Sequence, residues 1–258
     1  MDKLGICQWC VHSNLLLAIE TARCLGYEGV SIDTACDVDG RPILDETARK
    51  IGQSYAEDNH IEITTIAMNE LCQKSSWDGV TKSYEIDALD EQAVEIAVSM
   101  GIPKIQVPAF VKSAIQTEEN FLDTVKHLKR LCRLAEAHNI MVMSENALTA
   151  QENIRLVNLV EKDNFSLLYD TANLHMSSLN GPEVLNEIKE YISEVHLKDM
   201  KYDPVASRYV FAPLGTGDVN LPESVRILKS FNFSGWYHNE NTYSIEEYKR
   251  DILYCKNL

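Results

Sequence analysis

The chain has 258 residues, of which 45% are hydrophobic and 24% charged, so it can build a full core and lacks the polar bias that keeps a chain disordered. Its formal charge of −15, from 24 Lys+Arg against 39 Asp+Glu, repels phosphate backbones and argues against a nucleic-acid partner. No run of about 18 apolar residues appears, and the opening MDKLGICQWCVHSN lacks a continuous apolar signal segment, so the reading is a cytoplasmic protein with no membrane contact. The seven cysteines are scattered, and the lone CxxC pair, Cys7 and Cys10, reads as reduced thiols packed in a strand.

Short apolar runs alternate with segments of helical period. The first strand is expected at 4–9 (LGICQW), followed by a helix with Leu15, Ala18, Ile19 and Ala22 on one face, Ser13 as its N-cap and Gly26 as its stop. Strands follow at 29–33 (GVSID) and 61–68 (IEITTIAM), then a helix burying Leu89, Ala93, Ile96, Ala97 and Met100 and ending at Gly101. After a strand at 104–108 (KIQVP), Thr117 caps a helix whose apolar side holds Phe121, Val125, Leu128, Cys132 and Ala135. Lys126, Lys129, Arg130 and Arg133 recur on the other side as a solvated face. The last four strands are expected at 140–145 (IMVMSE), 165–170 (FSLLYD), 192–198 (ISEVHLK) and 235–240 (GWYHNE). Their continuous apolar character suits parallel strands buried on both sides.

Eight such units predict an α/β protein, a closed (β/α)8 barrel forming one domain over residues 1–258. No GxGxxG or GxxxxGK[ST] turn supports a dinucleotide or P-loop fold. Two connections, 69–86 and 199–220, are longer than a barrel requires. Both follow strands, at the face where barrel active sites are built.

The late strands finish in ligand-type side chains: Glu145, Asp170, His196 and Glu240. In a parallel barrel these tips converge, and three carboxylates with one imidazole make a mixed N/O cage for one divalent metal ion, with Mn2+ first and Mg2+, Co2+ or Zn2+ as alternatives. A cation with open positions can polarise a carbonyl and its neighbouring hydroxyl, and Glu145 and Glu240, from strands five and eight, are placed to relay protons on opposite faces of a bound sugar.

Glu145 in SEN, Asp170 in YDTANLH, His196 in VHLKD, the GTGDVNL segment at 215–221 and Glu240 in GWYHNE together resemble the sugar phosphate isomerase/epimerase superfamily, the xylose isomerase-like TIM barrels. The resemblance spans essentially the whole chain and is nearest in pattern to the ketose 3-epimerase branch. It implies metal ligation by the four tip residues and proton exchange by Glu145 and Glu240 through an enediolate, on a ketose or ketose phosphate. It also implies substrate contacts from Asn173, which stands where the branch often has histidine, and from His175 two residues on. Arg208, with Lys198 behind it, is the candidate cation after strand seven. Trp9, Trp77 and Phe110 are candidates for an apolar wall, and Asp33 stands where many relatives have glutamate. A keto-inositol dehydratase of the same superfamily is the alternative. A sugar-binding barrel without chemistry and an abasic-site endonuclease fit less well, the latter because it needs many histidines and this chain has seven in all. Barrels of this superfamily commonly pair, which makes a homo-oligomer an expectation.

Overall fold

The computed structural model describes residue 1, residues 3–74 and residues 79–258, and for 79–83 the backbone alone. Eight parallel strands close into a barrel: β1 (Leu4–Cys7), β2 (Gly29–Asp33), β3 (Glu62–Ala67), β4 (Lys104–Pro108), β5 (Met141–Glu145), β6 (Phe165–Asp170), β7 (Ile192–Leu197) and β8 (Trp236–Asn239). Each strand neighbours the next in sequence, and β8 closes the barrel on β1 with Gly5 opposite His238. The outer helices follow in turn as α1 (Leu15–Leu25), α2 (Glu46–Asp58), α3 (Gly79–Met100), α4 (Glu118–Glu136), α5 (Ala150–Val160), α6 (Gly181–Ile188), α7 (Leu221–Ser230) and α8 (Ile245–Asn257). Their apolar stripes meet the outward faces of the strands, so the main hydrophobic core is the layer between sheet and helices.

Helix punctuation follows local chemistry. Thr117 accepts from the amide of Asn120 and caps α4, while Gly26 and Gly101 end α1 and α3 at positive φ, +88° and +66°. The cap of α1 is Asn14 rather than Ser13: Asn14 accepts from Leu17 N, while the carbonyl of Ser13 is engaged by Gln8 Nε2 at 3.0 Å. The first strand is also shorter than its apolar run. Gln8–Val11 forms a helical turn because Gln8 bonds sideways, donating to Ser13 O and accepting from Asp33 N at 3.1 Å.

Both long connections contain structure. Helix α3 already begins at Gly79, and residues 199–220 carry an antiparallel ribbon, Met200–Asp203 against Arg208–Phe211. Arg130 departs from the solvated face expected for α4. Its guanidinium reaches Asp90 at 2.5 Å and Asp87 at 2.9 Å, and with His127 at 2.8 Å from Asp90 it clamps α4 to α3.

Inside the barrel the packing is polar. Glu194 and His238 are fully buried and 3.1 Å apart, with Lys104 Nζ 3.1 Å and Thr65 Oγ1 2.7 Å from the other Glu194 oxygen. Gly5 makes room for this layer, since a Cβ there would lie 2.3 Å from His238 Cδ2. All seven cysteines are free; Cys7, Cys36, Cys132 and Cys255 are buried, and burial pushes the Cys36 and Cys132 thiols up to about 12. Among the described residues no helix is long and apolar enough to cross a membrane.

Candidate metal centre

Glu145 ends β5, Asp170 ends β6, His196 lies on the inward face of β7, and Glu240 directly follows β8. One ligand atom from each lies within 4.8 Å of the others. His196 turns Nδ1 toward the carboxylates, 3.2 Å from Glu240 Oε2 and 3.8 Å from Glu145 Oε1. Its Nε2 faces Cys7 Sγ at 3.8 Å. Asp170 is aimed by its own turn: Oδ1 accepts from the amides of Ala172 at 2.8 Å and Asn173 at 2.6 Å, so Oδ2 is left facing the cluster.

The donor set fits a divalent cation. Oxygen and imidazole donors converge from four successive strands, and Asp170 Oδ2 is buried without a hydrogen-bond partner although Lys198 Nζ stands 3.1 Å away. A second group, Glu194, His196 and His238, is also close enough for ligation. Its single carboxylate is already matched by Lys104 and His238, so a further divalent charge there would be buried without compensation.

Electrostatics set the two glutamates apart. Burial, and then the neighbouring Glu240, pushes the Glu145 carboxyl up to about 7. Glu240 resists the same burial because Lys198 and His196 hold it well below the usual carboxylate range. For His196, burial opposes the charged form, but Glu240 and the other carboxylates raise it to about 9.

Lys198 follows His196 on the same inward face, with Nζ 2.5 Å from Glu240 Oε2 and 3.1 Å from Asp170 Oδ2. The site's cation is therefore Lys198. Arg208 is exposed at the far end of the ribbon, opposite Asp203, because the chain leaves the barrel after Asp199. Asn173 joins the cluster from the turn after β6: its Nδ2 donates to Glu145 Oε1 at 2.8 Å, and its Oδ1 lies 3.4 Å from Lys198 Nζ. His175, two residues on, packs edge-on against Tyr209 of the ribbon at 5.6 Å between centroids, outside the ligand group. Trp9 donates its indole N–H to Glu240 Oε1 at 3.1 Å, a polar contact in place of the expected apolar wall. Phe110 is half-buried beside β4 and lines a crevice with Ala114, Ile115, Ala147 and Leu148. Trp77 lies outside the described residues. Asp33 is buried at the end of β2 and accepts from Ala35 N at 2.6 Å.

Two participants have no counterpart among the expected site residues. Gln106, inside β4, donates from Nε2 to Glu145 Oε2 at 2.6 Å. Asp199 knots the GTGDV segment: Oδ2 accepts from Gly215 N and Gly217 N, both at 2.9 Å, and Oδ1 from Met200 N at 2.9 Å and Val219 N at 3.3 Å. A Cβ at Gly217 would come within 2.2 Å of Asp199 Oδ1, which is why that position takes glycine.

Comparison with known proteins agrees with this architecture. Residues 19–258 match the model of the xylose isomerase-like TIM barrel family, and the chain belongs to that family. It is 27% identical over 201 residues to the 2-epi-5-epi-valiolone 7-phosphate 2-epimerase of an Actinoplanes species, covering 76% of this chain and 72% of the relative. It is equally 27% identical over 222 residues to the inosose dehydratase of Clostridium tetani, covering 72% and 74%. The solved IOLI protein with a binding zinc atom shares the fold, with a TM-score of 0.76 at 21% identity over 99% of this chain and 95% of its own. The relatives by sequence are thus enzymes of one superfamily whose reactions include both epimerisation and dehydration.

Proposed function

We propose that the protein is a divalent-metal-dependent epimerase or isomerase acting on a polyhydroxylated ketone, a ketose or its carbocyclic counterpart, free or phosphorylated. The observation that carries the reading is the pair Glu145 and Glu240: a buried carboxylate from β5 and a half-buried one at the end of β8, in one cluster with Asp170 and His196. Those four residues would hold the metal, which when bound supplies electrophilic stabilisation of the negative charge that develops on the substrate's carbonyl and hydroxyl oxygens. Mn2+ and Zn2+ both suit this donor set, and the zinc in the IOLI protein supports a first-row cation here.

The chain's own groups account for the proton steps. One glutamate takes the proton from the carbon between hydroxyl and carbonyl, giving an enediolate, and the other delivers a proton to the opposite face. Before metal binds, Glu145, at about 7, holds a proton near neutral pH more readily than Glu240, which lies well below the usual carboxylate range, and a bound metal would displace that proton. Trp9 fixes Glu240 through Oε1, and Asn173 fixes Glu145 through its own Oε1. Valiolones and inososes, the substrate classes in the relatives' names, are cyclic polyhydroxy ketones with this same acidic carbon, which supports the substrate class.

The test is chelation, add-back of Mn2+, Mg2+, Co2+ or Zn2+ singly, and proton NMR in D2O with a panel of ketoses, ketose phosphates, inososes and valiolone phosphates. Metal-dependent deuterium uptake next to the carbonyl is expected, with Glu145→Gln and Glu240→Gln each lowering it by at least about 100-fold. A protein that binds metal but exchanges none of these would refute the reading. A dehydratase is the second reading, favoured by Lys198, whose ammonium 2.5 Å from Glu240 is placed to protonate a departing hydroxyl. Formation of an enone chromophore in place of reversible exchange would establish it.

A further inference from the structure

Gln106 carries a buried amide that is only half paired. It is 1% exposed, and among the described residues its carboxamide Oε1 is buried without a partner and its one side-chain hydrogen bond is the 2.6 Å donation to Glu145 Oε2. Burying a primary amide with one of its groups unpaired costs about 1–3 kcal/mol, and an apolar side chain of the same length would pack there without that cost. Stability therefore does not explain the residue. The β4–β5 register does: Pro108, which lies opposite Glu145, has no donor to offer, and Gln106, opposite Met143, reaches up from one layer deeper.

The contacts divide the Glu145 carboxylate. Oε1 is the oxygen turned to the ligand cluster, 3.8 Å from His196 Nδ1, and is held by Asn173. Oε2 is held by Gln106. We propose that Gln106 is a positioning residue that fixes the rotation of the Glu145 carboxylate, so that Oε1 alone serves the metal while Oε2, accepting from Gln106, is kept off the cation. Without this restraint the carboxylate turns about its last torsion and offers both oxygens to the cation. The assignment rests on the metal-dependent proton exchange proposed above, but it makes its own prediction about metal coordination.

Gln106→Met keeps the length of the side chain and removes the donor. With Co2+ as the probe, the variant is expected to bind the ion at least as tightly as the unaltered protein, with a changed visible absorption band reporting altered coordination. Deuterium exchange should fall about 10–100-fold in kcat, the loss expected for one hydrogen bond to a charged group, with KM within about threefold. If Gln106→Met lacks a cooperative thermal transition, Gln106→Asn, which keeps the amide but withdraws it by one methylene, should give the same spectrum and the same kinetic split. An unchanged cobalt band, or a metal affinity weakened more than about tenfold, overturns the proposal, the latter because Gln106 would then be supporting the cage itself. If the unaltered protein shows no exchange with any substrate, the reaction fails as a reading, and the cobalt band alone still decides the role of Gln106.

Discussion

At the scale of single residues, the candidate ligands compete with protons for the metal. Glu145 sits near pH 7 and His196 near pH 9, and each must lose its proton before it can ligate. The sign follows directly: metal affinity should rise with pH, with up to one proton released per ion between pH 7 and 9 and up to two below pH 7. Calorimetric titration of the chelated protein with Mn2+ in buffers of different ionisation enthalpy counts those protons, and an affinity flat from pH 6 to 9 would contradict the assignment of these two ligands. Much of this group was legible beforehand, because parallel strands bring their C-terminal ends together whatever the loops between them do. Lys198 was legible too, by a route that needed only alternation: Glu194, His196 and Lys198 are spaced by two and must share the inward face. Arg208 drew attention as a loop cation, yet a residue's distance along a loop says nothing about which way the loop leaves the barrel. Gln106 was hidden because one glutamine in KIQVP reads as part of an apolar strand until its register against the adjoining strand β5 is known.

At the scale of elements, the decisive unit is the segment from the end of β7 through the ribbon to α7. The VHLKD and GTGDV motifs are two halves of one structure, in which Asp199 accepts four backbone N–H groups and thereby anchors the strand end that presents His196 and Lys198. The motif pair was recognisable as a pattern, but its role was not, since the pairing spans an excursion of the chain whose path the spacing does not state. Asp199→Ala leaves the buried amides of Met200 and Val219 unpaired and turns those of Gly215 and Gly217 over to water, and is expected to cost about 2–3 kcal/mol. Urea denaturation measures it, and because the lost anchor adjoins two site residues, metal affinity should fall as well. A variant with unaltered stability would show that the loop is held by other means. The opposite misreading occurred at α4, where an i, i+3, i+4, i+7 basic stripe suggested solvent. Arg130 instead meets the carboxylates of α3, because neighbouring helices around a barrel flank each other and part of each polar face becomes an interface.

At the scale of the whole molecule, the barrel shows where charge is stored without metal. Burial raises Glu145 and Asp251 to about 7 and also lifts Asp170, while carboxylate neighbours raise His196 to about 9 against its burial. A carboxyl raised above its unfolded value of about 4 holds more protons in the folded chain, so its ionisation between pH 4 and 7 lowers stability. A histidine raised from about 6.5 contributes stability that is complete below that pH and lost on the way to pH 9. These contributions share one sign; His238, lowered by its burial, works against them below its ordinary value of about 6.5, where the three raised carboxyls outnumber it. The melting temperature of the chelated protein should fall steadily from pH 5 to 9, whereas Mn2+ should stabilise it increasingly over the same range, because binding to the folded form strengthens as the ligands lose their protons. Asp251 separates the fold from the site: it lies on α8, accepting from Leu214 N and Asn239 Nδ2, and is not one of the four candidate ligands. Asp251→Asn should therefore flatten the decline between pH 5 and 7 and leave the metal-induced shift intact. Scanning calorimetry of both proteins, with and without Mn2+, provides the comparison, and an identical pH slope in the variant would remove Asp251 from the account while leaving the site groups to explain the fall.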